Sequence, residues 1–485
     1  MNVLHKILDK YHNLSLPAKA GLWFAICGFA QRGISFITVP IFTRILTTSQ
    51  YGTVSVYNSW YSFLSIFCTL NLFYGGFNNG MIQYEDERDE YLSSMQGLVT
   101  SITTILFVVY LAGQTIFNSL FEMSTLLVVV MFVEILTNSA LSFWSARERF
   151  EFRYKHLVIV TLAVTLLAPV LSIVMIVLLD SSVGAEAKII SHAFVIFIIC
   201  GALYIHNLRK GGRFFRKRFW KFALRFNIPL LPHYLSIMAL NQTDRIMISK
   251  MVSTEKAGVY SVAYSAAMIL NIMVTALNNS FAPWLYGKLK KKDYDGIADV
   301  TNMLFLGLAL ALIILIAFAP ECIRILAGKS YYEAIWIIPP VATSLYFIFM
   351  YQIFANVEFY FMKNKFIMCA SLTGAVLNII LNYYGIKMFG YIAAGYTTLI
   401  CYIAFGLSHY WFMRRICKDE LDGLQLFDTK TIMSVAVLLG IMAGIMACLY
   451  SYTLIRYIII LAILVVIYFK RKTFMHYFKM LKGGK

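Results

Sequence analysis

The sequence predicts an all-α polytopic membrane protein: about 14 transmembrane helices, in two like-facing six-helix lobes plus a C-terminal helix pair. Three observations predict it. The 485 residues are 60% hydrophobic and 14% charged, with mean hydropathy +0.72. Soluble domains carry about 45–50% apolar and about 25% charged residues. Apolar runs of about 20 residues recur from end to end, long enough to cross a hydrocarbon core of roughly 30 Å. A short stretch in the first half also recurs in the second. Spanning backbone must satisfy its own hydrogen bonds, and the alternation of a transmembrane barrel is absent, so the spans are helices.

In order, the spans start near Gly21, Val54, Ser93, Ser124, Leu157, Ala187, Phe226 and Lys256, then near Val300, Tyr332, Lys365, Gly390, Thr431 and Tyr452. This divides the chain into an N-terminal lobe (1–208), a C-terminal lobe (209–413) opened by a basic linker, and an extra helix pair with a basic tail (414–485). The polar lead before the first span lacks a small-residue cleavage site and is compatible with a short amphipathic helix at the inner surface. With both termini inside, about 32 of the 42 Lys and Arg fall in cytoplasmic segments and about 8 outside, the positive-inside bias. The net charge of +18 therefore reports topology, and no nucleic-acid partner is expected. Outer connections such as DSSVGAEAK (180–188) are short. Eight cysteines stand singly, without CxxC or Cys/His clusters, so no metal site and no disulfide framework is expected.

Between the lobes, RKGGRFFRKRFWK (209–221) is the strongest charge run. It reads as a solvated linker or as a latch to anionic lipid. The acidic run Glu85–Glu90 reads as a solvated loop, without the shared cleft that acid–base catalysis needs. Tyr74-Gly75-Gly76-Phe77-Asn78-Asn79-Gly80 reads as a flexible break after span 2, since it lacks the strand and the spacing of a nucleotide loop.

At a shift of 206 residues, Thr43–Val56 (TRILTTSQYGTVSV) aligns without a gap to Ser249–Val262 (SKMVSTEKAGVYSV). Thr48/Thr254, Gly52/Gly258, Ser55/Ser261 and Val56/Val262 are identical. Each copy joins two spans at an outer turn, where the glycine is expected to supply a left-handed conformation. An even number of spans separates the copies, so both halves face the same way. A parallel repeat of this kind predicts a substrate path between the halves near the midplane.

Ionised groups inside spans cost about 2.5–3.5 kcal/mol each at the midplane unless paired or hydrated. Arg32 lies halfway along span 1, after Gln31 and before Ser35 and Thr38, with Pro40 further on. It reads either as a cation lining a hydrated cavity for an anionic head group or as a structural partner of Glu134. Glu134, in mid-span 4 with Asn138 one turn on, is the candidate for proton or cation coupling. Asp244 and Arg245 lie in span 7. They point about 100° apart, so they do not simply neutralise each other. His233 and Asp244 share one face of that span and Asn241 and Arg245 its neighbour; with Arg32, these four are the candidate residues of the substrate-binding and translocation cavity. Pro229 and Pro232 open span 7 as a hinge or an ordinary kinked start. Glu358 near the inner end of span 10, with Lys363 and Lys365 close by, reads as a gate pair or as snorkelled interfacial charges. His192 and His409, near span ends, read as packing or interface residues.

PLLPHYLSIMALNQTDRIMISKMVSTEKAGVYSVAY resembles the central signature of polysaccharide flippases of the Wzx type: a Pro-rich start, an Asp-Arg pair and a Gly-x-Tyr-Ser turn, here Gly258-Val259-Tyr260-Ser261. AQRGISFITVPIFTRILTTSQYGTVSV, followed by NLFYGGFNNGMIQYEDE, is similar to the family's first two helices and inner loop. The resemblance implies a V-shaped transporter in the bacterial cytoplasmic (inner) membrane. Its implied cargo is an undecaprenyl-pyrophosphate-linked oligosaccharide, carried from inner to outer leaflet by alternating access for O-antigen, capsule or exopolysaccharide assembly. The family's cationic cavity maps onto Arg32 and Arg245. No catalytic residue and no cofactor is implied; membrane potential or a coupled H+ or Na+ is the energy source. Membrane lipids, a glycan polymerase and chain-length machinery are the implied partners. Two rival readings stay open: a multidrug/cation antiporter of the same superfamily, which would prefer acidic cavity residues, and a membrane glycan polymerase, which would need a catalytic loop.

Overall fold

The structure, a computed structural model, describes residues 14–481; no strand occurs among them. Residues 1–13 of the expected amphipathic lead (1–19) and the end of the basic tail (482–485) lie outside the described residues, and residues 16–19 belong to the first helix. The helices group into two units, residues 14–235 and 236–481, and the division falls inside the helix Leu231–Met251.

The first unit contains α1 (Leu16–Ile45), α2 (Thr48–Thr69), the short α3 (Gly75–Gln83), α4 (Arg88–Ala112), the short α5 (Gln114–Phe121), α6 (Thr125–Phe150), α7 (Tyr154–Leu178), α8 (Gly184–Gly211) and α9 (Lys217–Asn227). The second begins within α10 (Leu231–Met251) and continues through α11 (Thr254–Ala267), α12 (Asn271–Lys291), α13 (Ile297–Ala317), α14 (Ala319–Leu326), α15 (Ile338–Tyr360), α16 (Asn364–Phe389), α17 (Ala393–Glu420), α18 (Thr429–Cys448) and α19 (Thr453–Leu481). Among the described residues, 11 segments are long and apolar enough to cross a membrane. Three more helices, α2, α10 and α17, stand at the expected spans 2, 7 and 12. They have the length but not the apolarity, because they carry the Asn, Thr, Tyr, His and charged residues from which the sites are built.

The repeat has a local physical cause. Thr47 caps α2 in a full capping box with Gln50. At the matching place, Ser253 caps α11 by accepting from the Lys256 amide. Helix ends Ile45 and Met251, and starts Thr48 and Thr254, both lie 206 residues apart. A Ser or Thr oxygen there satisfies an amide that the first turn would otherwise orphan. Gly52 and Gly258 do not make the turn. Both are buried inside their helices and neither has a positive φ.

Three loop readings are corrected at the end of the first unit that holds the start of α4. The Gly-Asn cluster is α3, not a flexible break: Phe77 is fully buried in a cluster with Tyr91, Phe143 and Phe219. The linker is solvated on one face and docked on the other: most of 209–221 stays exposed, while Phe219 is buried. Its second half forms α9, which packs on α3 and α4, and Trp220 Nε1 donates to the Ser94 carbonyl at 2.9 Å. Burying a side chain such as Phe219 contributes about 1.5–3 kcal/mol, which outweighs the solvation gained by leaving the segment free. The acidic run pairs with the linker: Arg216 with Glu90 at 3.0 Å, Arg218 with Glu87, and Lys210 with Asp89 at 3.4 Å. Arg147 closes the network onto Asp89 and Glu151. Because α9 takes residues 217–227 and a 3-10 turn follows at Ile228–Leu230, span 7 begins at Leu231 and not at Phe226. The linker thus groups with the first unit, not the second lobe, and α18 and α19 pack on α13 within the second unit.

Close backbone approach fixes the linker. A Cβ at Gly97 would lie 2.1 Å from the Phe214 carbonyl oxygen. Gly97→Ala should therefore displace 209–221 at a cost of about 1–3 kcal/mol, the usual range for overpacking. Limited trypsin digestion checks this: cleavage among Arg213–Lys221 should accelerate, and an unchanged rate would contradict the docked position.

Candidate functional site

In the first unit, the polar groups of α2, α6 and α8 meet across the bundle. Glu134 is 5% exposed. Tyr57 Oη donates to Glu134 Oε2 at 3.0 Å, and His192 Nδ1 lies 3.3 Å from Oε1. One turn along, Asn138 Nδ2 donates to Tyr61 Oη at 3.0 Å. Positions i and i+4 on α6 thus face i and i+4 on α2, two rungs of one ladder. The alternative reading of Arg32 as the partner of Glu134 is corrected. Arg32 is exposed and makes no ion pair among the described residues, because His192 and Tyr57 already hold the carboxylate. Only 6% of the apolar window of α1 is buried, so Arg32 faces lipid or water, beside the polar row Gln31, Ser35 and Thr38.

That row borders a cavity of about 300 Å³ whose lining includes Ser35, Thr38, Asn58, Ser172, Lys188 and His192. Read from sequence, Lys188 ends an outer loop; in the structure it lies just past the first turn of α8. Its Nζ sits 3.8 Å from the centre of the Phe42 ring and 5.2 Å from that of Tyr51. It makes no ion pair or hydrogen bond among the described residues. Withdrawing an ammonium from water costs several kcal/mol, whereas a cation–π contact returns about 0.5–2 kcal/mol. The aromatic contact alone does not offset that cost. A second cavity in this unit, about 500 Å³, combines the aromatic faces of Phe73 and Tyr74 with Asn78, Ser142 and Arg149.

In the second unit, Asp244 is fully buried. Its Oδ2 accepts from Tyr260 Oη at 2.5 Å and Thr398 Oγ1 at 3.0 Å, and its Oδ1 from Asn382 Nδ2 at 2.6 Å. Asn382 is held in turn by Asn378 and Thr397. The carboxylate thus ties α10 to α11, α16 and α17. Arg245 turns away from it, as the helix geometry requires, and stacks on Tyr264 with 4.4 Å to the ring centre. Its NH1 donates to the Asn241 carbonyl at 2.6 Å and to Gln242 at 3.1 Å. Asn241 accepts from Tyr264 Oη at 3.3 Å, so Asn241, Arg245 and Tyr264 form one cluster. His233, earlier on α10, is partly buried, its ring centre 6.0 Å from that of Tyr234.

Glu358 and Lys363 do not form a gate pair. Glu358 is fully buried and bonds His409 Nδ1 at 2.8 Å, while Lys363 pairs with Glu420 at 3.0 Å. Lys363 follows the end of α15, so its side chain reaches outward while Glu358 points into the bundle; only its backbone amide meets the Glu358 carbonyl, at 2.9 Å. His192 and His409, read as packing or interface residues, are instead the partners of the two buried glutamates. No group of three His, Cys, Asp or Glu suited to a metal occurs among the described residues.

The described helices share their fold with solved membrane transporters. A structure described as lipid II flippase MurJ, inward closed conformation, matches with TM-score 0.70 at 13% identity, covering 93% of this chain and 99% of that one. An inward-facing multidrug resistance MATE family transporter of the MOP superfamily matches with TM-score 0.56 at 14% identity, over 80% and 95%. At these identities the likeness is one of fold, and it defines the class: a multi-pass, all-helical membrane protein with the architecture of these transporters.

The chain belongs to the family described as polysaccharide biosynthesis protein, whose pattern matches residues 18–286, more than half its length. A relative, Lsg locus putative protein 1 of Haemophilus influenzae (strain ATCC 51907 / DSM 11121 / KW20 / Rd), is 28% identical over 163 residues. That alignment spans 32% of this chain and 39% of the relative.

Proposed function

We propose that the protein is a flippase that moves an undecaprenyl-pyrophosphate-linked oligosaccharide from the inner to the outer leaflet of the bacterial cytoplasmic membrane, with both termini cytoplasmic. The transport serves surface-polysaccharide assembly and proceeds by alternating access, without covalent chemistry. One observation carries this reading within the family: Arg32, a guanidinium halfway along a membrane helix, is exposed and lacks a carboxylate partner among the described residues. Facing hydrocarbon it would cost about 2.5–3.5 kcal/mol, so its side chain belongs to a hydrated surface that receives an anion. A pyrophosphate supplies two such groups, and Arg matches phosphate geometry with paired N–H donors. A drug cation would be repelled by Arg32, which disfavours the antiporter reading.

Direction comes from membrane potential or a coupled H+ or Na+. We assign coupling to Glu134, because its partners include the titratable His192, whereas Asp244 is held by neutral donors. Glycan polymerase and chain-length machinery are the candidate protein partners. The test is Arg32→Ala. Lipid-linked glycan in the outer leaflet should fall at least about tenfold, the loss of one charge-assisted phosphate contact, with protein abundance unchanged. Normal translocation in that variant would sink the proposed role.

A further inference from the structure

The cavity bordered by α1, α2, α7 and α8 adjoins the Glu134–His192 pair, and its chemistry is that of an anion site. Lys188 projects into it from α8, just past the first turn, where the helix dipole favours an acid and disfavours a cation. Helix stability therefore does not explain a lysine there. Nor does snorkelling: the ammonium lies over the Phe42 ring, and Phe42 is only 5% exposed.

The remaining lining fixes the sign and class of the ligand. Ser35 and Thr38 give their hydroxyl hydrogens to the Gln31 and Ser35 carbonyls of their own helix, at 2.9 and 2.8 Å. Neither hydroxyl hydrogen is then available to a ligand. The Asn58 amide has no side-chain partner among the described residues and lines the same space, offering two N–H donors beside the Lys188 ammonium. The other titratable groups bordering the cavity are His192, Tyr51 and Tyr57, and the acid behind His192, Glu134, is committed to His192 and Tyr57. No free carboxylate thus competes for Lys188 among the described residues. A volume of about 300 Å³ lies at the small end of ligand pockets and suits one phosphate or one acidic sugar, not an oligosaccharide.

We infer that this cavity binds a single oxyanion, a phosphate or a carboxylate, with Lys188 as its counter-ion and Asn58 as its second donor. The inference goes beyond the flippase reading and does not depend on it, since occupancy requires no transport. The oxyanion comes either from solution or from a lipid head group, and the two sources are separable.

The test uses the full chain in nanodiscs of phosphatidylcholine, titrated calorimetrically with inorganic phosphate and with glucuronate. The wild-type protein should bind at least one of them. Lys188→Met, which keeps the stem and removes the charge, should weaken that binding by about tenfold or more. Lys188→Arg should stay within about threefold of wild type, because the charge is retained. Asn58→Leu serves as the second variant if Lys188→Met does not fold, and should weaken binding by about threefold to tenfold through loss of the amide donors. Adding phosphatidylglycerol to the nanodiscs distinguishes the source: competition with the soluble anion assigns the site to a lipid head group, and no competition assigns it to a soluble oxyanion. Absence of binding by the wild type to both anions overturns the inference, as does equal affinity in wild type, Lys188→Met and Asn58→Leu. A failed flipping assay with intact anion binding would count against the transport reading alone.

Discussion

Asp244→Ala should unfold or aggregate the second unit, whereas Asp244→Asn should leave it folded and moderately less stable. Asp244 has no exposed surface and receives three hydrogen bonds, from Tyr260, Asn382 and Thr398. Alanine leaves all three donors buried without an acceptor, at about 1–3 kcal/mol each. The sum, about 3–9 kcal/mol before any relaxation, is a large part of the roughly 5–15 kcal/mol that holds a typical domain together. Asparagine keeps the shape and one acceptor oxygen. Its amide can donate to the Tyr260 or Thr398 hydroxyl, since hydroxyls can reverse their roles. Thermal unfolding of the purified protein in detergent reads the difference. Equal melting temperatures for wild type and Asp244→Ala would show that the carboxylate does not tie the four helices.

The second large effect concerns the C-terminal helices. Arg456 on α19 is 1% exposed and forms a paired contact with Glu321 on α14, both bonds at 2.8 Å. It also donates to the Ala317 carbonyl at 2.5 Å. Breaking a fully buried pair costs about 3–5 kcal/mol. Glu321 keeps 21% of its side-chain surface exposed, so Arg456→Ala should cost somewhat less, about 2–4 kcal/mol after allowance for solvent screening. The pH dependence has a definite sign. Burial alone would push the Glu321 carboxyl up, but the hydrogen bonds from Arg456 hold it below its ordinary value of 4.5. A depressed carboxylate contributes stability that is complete above that ordinary value and is lost as pH falls through the lowered one. The melting temperature of wild type should therefore drop more steeply on acidification below about pH 4.5 than that of Arg456→Ala. Parallel curves would assign the docking of α19 to apolar packing alone.

These two clusters also show what a sequence can and cannot reveal about this chain. The spans were legible because an apolar run of the right length has few alternatives in a bilayer. Asp244 stood out because a carboxylate in such a run is costly. Its partners did not: Asn382 and Thr398 lie 138 and 154 residues away and look like ordinary polar residues in helices. Arg456 lies beside a short connection, and its partner is 135 residues away. Lys188 was hidden by a boundary error of a few residues, enough to turn a cavity-facing side chain into a loop residue. The linker was misread for another reason. Alternating Arg and Phe look solvated throughout, and only the facing surfaces of α3 and α4, with glycine at the contacts, give α9 a docked face. His192 and His409 carried no pattern at all; each acquires a role only through the glutamate the fold brings to it.

The central claim is that this chain, by itself, carries a lipid-linked glycan across a membrane. The direct measurement is transfer of an undecaprenyl-pyrophosphate-linked oligosaccharide between leaflets of proteoliposomes containing only the purified protein, scored by a membrane-impermeant glycosidase or lectin. The account predicts transfer well above that of protein-free vesicles, and its loss in Arg32→Ala at equal reconstitution. Transfer no faster than in protein-free vesicles, with and without an imposed potential or H+ or Na+ gradient, would contradict it.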